Sequence, residues 1–214
     1  MITEEQTELT VRGKEEKVDH DLVRHLVFLH DAHDQKNNDD ARGKLANLRY
    51  AMRDQLHAEY PVGRVFPALA PIKKTGNSEH LSGDVERNEW RTLIAGLFGF
   101  AHDNIEDIKG ISLGYALRTL YETRENDSLE RRFMSLLNAD AEHLPGHLRQ
   151  SISLLKAESI RLDWEMLLHD VCSWDAPGKR IQKRWIQDYY RSRKVDKSIP
   201  VAPDATPEDT DDQS

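Results

Sequence analysis

Arginine and lysine recurring at intervals of three, four and seven residues are the chemistry-bearing feature of this sequence. Arg42, Arg49 and Arg53 fall within a narrow wedge of a helical wheel beside an apolar stripe, which aligns three guanidinium groups over about three helical turns. A guanidinium is always charged and meets phosphate through two parallel N–H donors, so this spacing suits following a nucleic-acid backbone. A second set closes the ordered part of the chain: Lys179, Arg180, Lys183 and Arg184, then Arg191, Arg193 and Lys194, opposed only by Asp188. Between them Arg132 flanks an apolar stripe and Arg149 follows a histidine, and both are assigned to the same nucleic-acid face. Arg118 and Arg124, with Lys73 and Lys74, are secondary candidates. The alternative for each is an ordinary solvated helix face, which the dipole favours near a helix carboxyl terminus.

A different chemistry is written in histidine. His-Asp pairs occur at His30-Asp31, His33-Asp34, His102-Asp103 and His169-Asp170, as in HD-type metal phosphohydrolases, where imidazole and carboxylate hold ions that activate water. Ten histidines among 38 acids produce such pairs by chance, and His30 with His33 is a two-ligand fragment whose third ligand the sequence does not identify. No metal site and no cofactor are therefore expected. There is no Ser-His-Asp order, P-loop or glycine-rich phosphate cradle. A helical protein-protein adaptor is the remaining alternative.

The elements that must position these residues are helices. Apolar residues recur at 3.6-residue spacing in Leu45, Leu48, Met52 and Leu56, in Trp90, Leu93, Ile94, Leu97 and Phe98, and in Leu113, Leu117, Leu120 and Tyr121. Three more stripes follow, through Leu129, Phe133 and Leu137, through Leu148, Ile152 and Leu155, and through Trp164, Leu168 and Val171. Asp163 is placed to cap the helix opened by Trp164. In the last helix Ile181, Trp185 and Tyr189 share one side, and Arg180, Lys183, Arg184 and Arg191 the other, so Trp185 belongs to the core. Residues 61–83 read as a loop, and Lys109-Gly110, Pro145-Gly146 and Pro177-Gly178 punctuate the later helices. The expected fold is all-α: two small helical-bundle lobes over 20–109 and 110–195, with a single continuous bundle as the alternative, an acidic flexible extension over 1–19 and a disordered acidic tail over 196–214.

Charge distribution makes a basic face compatible with a net charge of −8. Residues 1–20 carry a net −3 and residues 196–214 a net −5, which leaves the body between them neutral, with an equal number of acids and bases. A locally basic helix on such a body is the footprint of phosphate binding. The single cysteine, Cys172, forms no internal disulfide and reads as a small buried hydrophobe, consistent with a reducing cytoplasm. No apolar run suggests a signal peptide or a membrane span.

Five blocks in fixed order carry a family resemblance. They are G-I-S-L-G-Y-A-L-R-T-L from Gly110, E-R-R-F-M-S-L-L-N-A-D from Glu130, L-P-G-H-L-R-Q-S-I-S-L-L from Leu144, L-D-W-E-M-L-L-H-D-V-C-S-W from Leu162, and K-R-I-Q-K-R-W-I-Q-D-Y-Y from Lys179. The series resembles the CasB family, the small subunit of the type I-E CRISPR surveillance complex called Cascade. The likeness continues upstream through L-A-N-L-R-Y-A-M-R and W-R-T-L-I-A-G-L-F-G-F-A-H. The resemblance implies a non-catalytic subunit, present as two copies, that contacts the backbone and large subunits and the R-loop formed by guide RNA and target DNA. It places Arg49 and Arg53 on the basic surface, while Tyr50 stands where many members have a further arginine. Glu130 and Arg131 suggest a carboxylate that ties down an arginine between helices.

Overall fold

A computed structural model of the chain describes residues 4–33, 38–54, 85–104, 106–124 and 127–191, with side chains described from residue 13 and not for 51–54, 85 or 86. The expected loop over 61–83 and the acidic tail over 196–214 lie outside these residues. Eight α-helices run through the described chain and no strand does. They are α1 (Glu4–His33), α2 (Asp39–Asp54), α3 (Val85–Ala101), α4 (Leu113–Arg124), α5 (Asp127–Leu137), α6 (Leu144–Ala157), α7 (Trp164–Cys172) and α8 (Arg180–Tyr190).

Each boundary has a local cause. Asp39 and Asp40 place negative charge at the amino end of α2, and the Asn38 side chain accepts the Ala41 amide at 3.2 Å. Pro145 sits in the first turn of α6, where its missing N–H costs nothing. Asp163 caps α7 as expected, accepting the Met166 amide at 2.9 Å. The chain reaches α8 through a 3-10 turn, Pro177–Lys179, in which Gly178 adopts φ 75°.

One difference concerns the amino terminus. Where the charge pattern suggests a flexible extension over 1–19, the structure has helix from Glu4. Two of the acids there, Glu15 and Asp19, are neutralised across helices rather than by solvent. Arg91 on α3, 1% exposed, donates to Asp19 at 2.7 Å and also pairs with Glu15, while Arg87 pairs with both acids. Burying a guanidinium is costly unless its donors are satisfied, and Glu15, Asp19 and Asn88 supply that satisfaction.

The apolar stripes converge on one continuous core that includes Leu22, Leu26, Leu48, Leu93, Leu97, Leu120, Phe133, Leu148, Trp164 and Trp185. α1, α2 and α3 pack on one another, and α4 packs on α5, α6 and α8. α7 crosses from the second group to the first and lies against α1 and α3. There Trp164 meets Phe98 edge-on, with ring centroids 5.3 Å apart. The connector before α4 is laced to the one before α7. Ile108 N–H donates to Leu162 O at 3.0 Å, Asp163 N–H to Ile111 O at 2.9 Å and Gly110 N–H to the Asp163 carboxylate at 2.7 Å.

α4 and α8 approach so closely that a side chain at Gly114 has no room. A Cβ there would lie 2.8 Å from Trp185 Cα, against backbone that cannot turn aside. Gly114→Ala should therefore destabilise the fold by about 1–3 kcal/mol in chemical denaturation. Gly146→Ala, which meets nothing within 4 Å, should leave the midpoint within error of the parent. Equal midpoints for the two variants would contradict this helix contact.

Candidate nucleic-acid interface

α8 is the clearest basic element. Ile181, Trp185 and Tyr189 are buried, while Lys179, Arg180 and Lys183 are exposed on the opposite side, as the wheel predicts. Its one acid is turned aside: Asp188 accepts the Ser112 hydroxyl at 2.6 Å at the start of α4 and does not answer the basic face. Arg184 is different. It is bonded to Asp170 of α7, a carboxylate with 0% exposure that also accepts Trp185 Nε1 at 2.7 Å. Asp170 thereby fixes both the depth and the rotation of α8.

The other candidates divide by partner. Arg42 pairs with Asp39 at 3.6 Å and donates to His33 O, and Arg118 pairs with Glu122 at 2.7 Å over the Tyr121 ring. Arg124 is bonded to Glu158. The Arg53 side chain lies outside the described residues. Arg132 and Arg149, with Lys179, Arg180 and Lys183, have no ion-pair partner among the described residues. Exposed pairs such as Arg118–Glu122 stabilise by about 0–1 kcal/mol, so a phosphate can displace the carboxylate. The buried Asp170 cannot be displaced without exposing its two donors. Glu130 forms the expected interhelical tie, but to Tyr190 Oη on α8 rather than to an arginine; Arg131 stays exposed.

Arg49 reaches the carboxyl end of α3. Its Nε donates to Gly99 O at 3.4 Å and its terminal nitrogen to Asp103 Oδ2 at 2.9 Å. On the next carbonyl sits a cation absent from the sequence reading: Lys156 Nζ donates to Phe100 O at 2.6 Å and rides over the Phe100 ring. Adjacent carbonyls at the negative end of a helix dipole thus hold two cations from two other helices, α2 and α6. Burial, and after it the charge of Arg49, push the Lys156 ammonium below the usual lysine value. Arg149 lies seven residues before Lys156 on α6, so the two share a face about 10 Å apart. That i, i+7 spacing was the available signal for Lys156.

The histidines also converge. His102, just past α3, is buried between His30 and His33 of the last turn of α1, and the ligating atoms of all three lie within 4.8 Å of one another. Burial pushes the His102 imidazole down to about 4, with Asp103 opposing and His33, Arg49 and His30 reinforcing the shift. The side chain that joins His30 and His33 thus comes from just past α3, some 70 residues away, where the sequence showed only the His102-Asp103 pair.

The sequence profile of the CRISPR-associated protein Cse2 family matches residues 44–190, which contains every one of the quoted blocks, with Arg49, Arg53 and Lys179 to Arg184 but not Arg42. The chain belongs to the CRISPR-associated Cse2 family. A Cse2 protein from Thermus thermophilus is 28% identical over 132 residues, 61% of this chain and 69% of the relative. The crystal structure of CasB from Thermus thermophilus superposes with a TM-score of 0.59 at 27% identity, covering 79% of this chain and 97% of that one. A chain of a CRISPR RNA-guided surveillance complex shares the fold at a TM-score of 0.59 and 18% identity, over 83% of this chain and 94% of its own length. The family is therefore the one named by the five blocks.

Asp170→Ala should lower stability by about 1–3 kcal/mol, because Trp185 Nε1 and Arg184 lose their acceptor in a packed site. Lys183→Ala, next to Arg184 in sequence but solvent-facing, should change it by less than about 0.5 kcal/mol. Thermal melts of the two variants check this directly, and equal losses would contradict the division between bracing and unpartnered cations.

Proposed function

We propose that this Cse2-family chain is the non-catalytic small subunit of a type I-E Cascade surveillance complex in antiviral defence. In this reading two copies contact the backbone and large subunits, and the basic surface holds the DNA strands of the R-loop. Cleavage belongs to a separately recruited nuclease. Family membership supports the reading, as does a fold shared with a chain of an RNA-guided surveillance complex.

The observation that carries the DNA-holding role is the pairing of Arg49 with Lys156 on adjacent carbonyls of α3. Two cations stand on adjacent carbonyls with a single carboxylate, Asp103, bonded to one of them, and the charge of Arg49 adds to burial in depressing the Lys156 ammonium. A phosphate oxygen arriving there would relieve the repulsion and gain two charge-assisted hydrogen bonds. Arg149 extends this patch along α6, and Lys179, Arg180 and Lys183 form a second patch on α8; both helices pack on α4. Forming an R-loop exchanges one duplex for another of nearly equal stability, so a few phosphate contacts can decide whether it persists. Such contacts carry no sequence information, which leaves target choice to the guide.

Arg149→Ala with Lys183→Ala, in the assembled complex, tests the reading. Neither side chain has an ion-pair partner among the described residues to lose, so the fold and the assembly should be retained. The slope of log affinity against log salt for target DNA should become shallower by roughly 0.7–0.9 per lost phosphate contact. An unchanged slope, with the subunit still in place, would favour a helical adaptor that touches only protein. The acidic tail gives a second test. Residues 196–214, with a net −5, follow directly on the α8 region and can compete with phosphate for its basic face at high local concentration. A chain ending at Lys194 should bind single-stranded DNA more tightly than the full chain at low salt, and equal affinity would remove the tail from the account.

A further inference from the structure

The structure assigns a divalent transition-metal site of the zinc class to His30, His33 and His102, with Asp103 as fourth ligand. The inference is independent of the DNA-holding role. Zinc bonds to imidazole nitrogen and carboxylate oxygen at about 2.0–2.1 Å, so neighbouring ligand atoms of a tetrahedral site lie about 3.3–3.4 Å apart. Three of the six ligand–ligand edges lie near that value before any ion enters, and the ligating atoms of the three imidazoles fall within 4.8 Å of one another. His30 Nδ1 is 3.4 Å from His102 Nδ1, His102 Nδ1 is 3.0 Å from Asp103 Oδ1, and His33 Nε2 is 3.8 Å from the same oxygen. Shifts of a few tenths of an ångström bring these edges to the required value.

The surrounding bonds suit a metal as well. A ligating histidine ordinarily donates its second ring N–H to a carbonyl or carboxylate, which fixes the lone pair that faces the ion. His33 does this, with Nδ1 2.8 Å from His30 O and Nε2 turned toward Asp103. Asp103 is held by its other oxygen, Oδ2, through Arg49 at 2.9 Å. Its half-exposed carboxylate gives the site a path to solvent. The carboxyl-terminal ends of α1 and α3 both meet here, and their dipoles favour a cation. Three imidazoles and one carboxylate select zinc-like ions over magnesium or calcium, which require oxygen ligands in greater number. On loading, His102 carries its ring proton on Nε2 and gives up its 3.3 Å contact with Arg49, whose guanidinium keeps Asp103. The ion would staple the end of α1 to the end of α3, directly beside the Arg49 and Lys156 patch.

Titration of the metal-free full chain with Zn2+ by calorimetry, and with Co2+ followed by its visible absorption, tests the assignment. One equivalent per chain, a tetrahedral Co2+ spectrum and a melting temperature that rises with Zn2+ are expected. His30→Gln and His33→Gln, on half-buried rings, should each weaken binding by roughly 100-fold or more, beyond the 10–100-fold typical of losing an outer-shell partner. His143→Gln, at an exposed pair with Asp140, should not change it. His102→Gln alters a buried ring and enters only if its folded spectrum is intact; the other two variants decide the matter without it. Absence of Zn2+ binding at micromolar concentration, full affinity in the His30 and His33 variants, or Mg2+ binding as tight as Zn2+ would each overturn the site.

Discussion

Two aspartates on one short helix hold the rest of the structure in place. Asp163 opens α7 and gathers the Met166 and Gly110 amides, which laces the connector before α4 to the one before α7. Asp170, two turns on, is fully buried and binds Arg184 and Trp185 of α8. Since α7 itself packs on α1 and α3, these two carboxylates relate the amino-terminal helices to the basic helix that ends the described chain. A carboxylate buried to this degree is tolerable only with its donors in place, so each bond constrains the others. The close approach of Gly114 to Trp185 finishes the constraint, because it admits α8 at one depth only.

Three kinds of cation are therefore to be distinguished. Arg87, Arg91 and Arg184 are consumed by buried acids and brace helices against one another. Lys179, Arg180, Lys183, Arg132 and Arg149 face solvent or its margin without an ion-pair partner among the described residues. Arg49 and Lys156 stand between these groups: tied to α3 carbonyls, yet close enough to repel. The proposed hold on DNA rests on the second and third kinds. An overall charge of −8 does not oppose it, because the excess lies in the terminal segments and not in the body that presents these residues.

Helix periodicity made the stripes, the cap at Asp163 and the burial of Trp185 legible in the sequence, because each depends on spacing within one element. The blocks of the carboxyl-terminal half made the family legible for the same reason. What escaped were relations between elements. Arg184 has the same wheel position as its neighbours, and only the fold reveals Asp170 beneath it. Lys156 gains meaning from Arg49 on a helix about 100 residues earlier, and His102 from His30 and His33. Glu15 and Asp19 read as part of an acidic extension until Arg87 and Arg91 meet them across α1 and α3. Charge patterning along one chain cannot distinguish an acid in solvent from an acid awaiting a distant arginine.

The central claim is that this chain contributes phosphate contacts that keep opened DNA in place. It is tested most directly by the lifetime of target-bound complex assembled with and without the chain, measured over a range of salt concentrations. The account predicts a shorter lifetime without it, with the largest difference at low salt and a convergence as phosphate contacts are screened. Equal lifetimes at every salt concentration would contradict it.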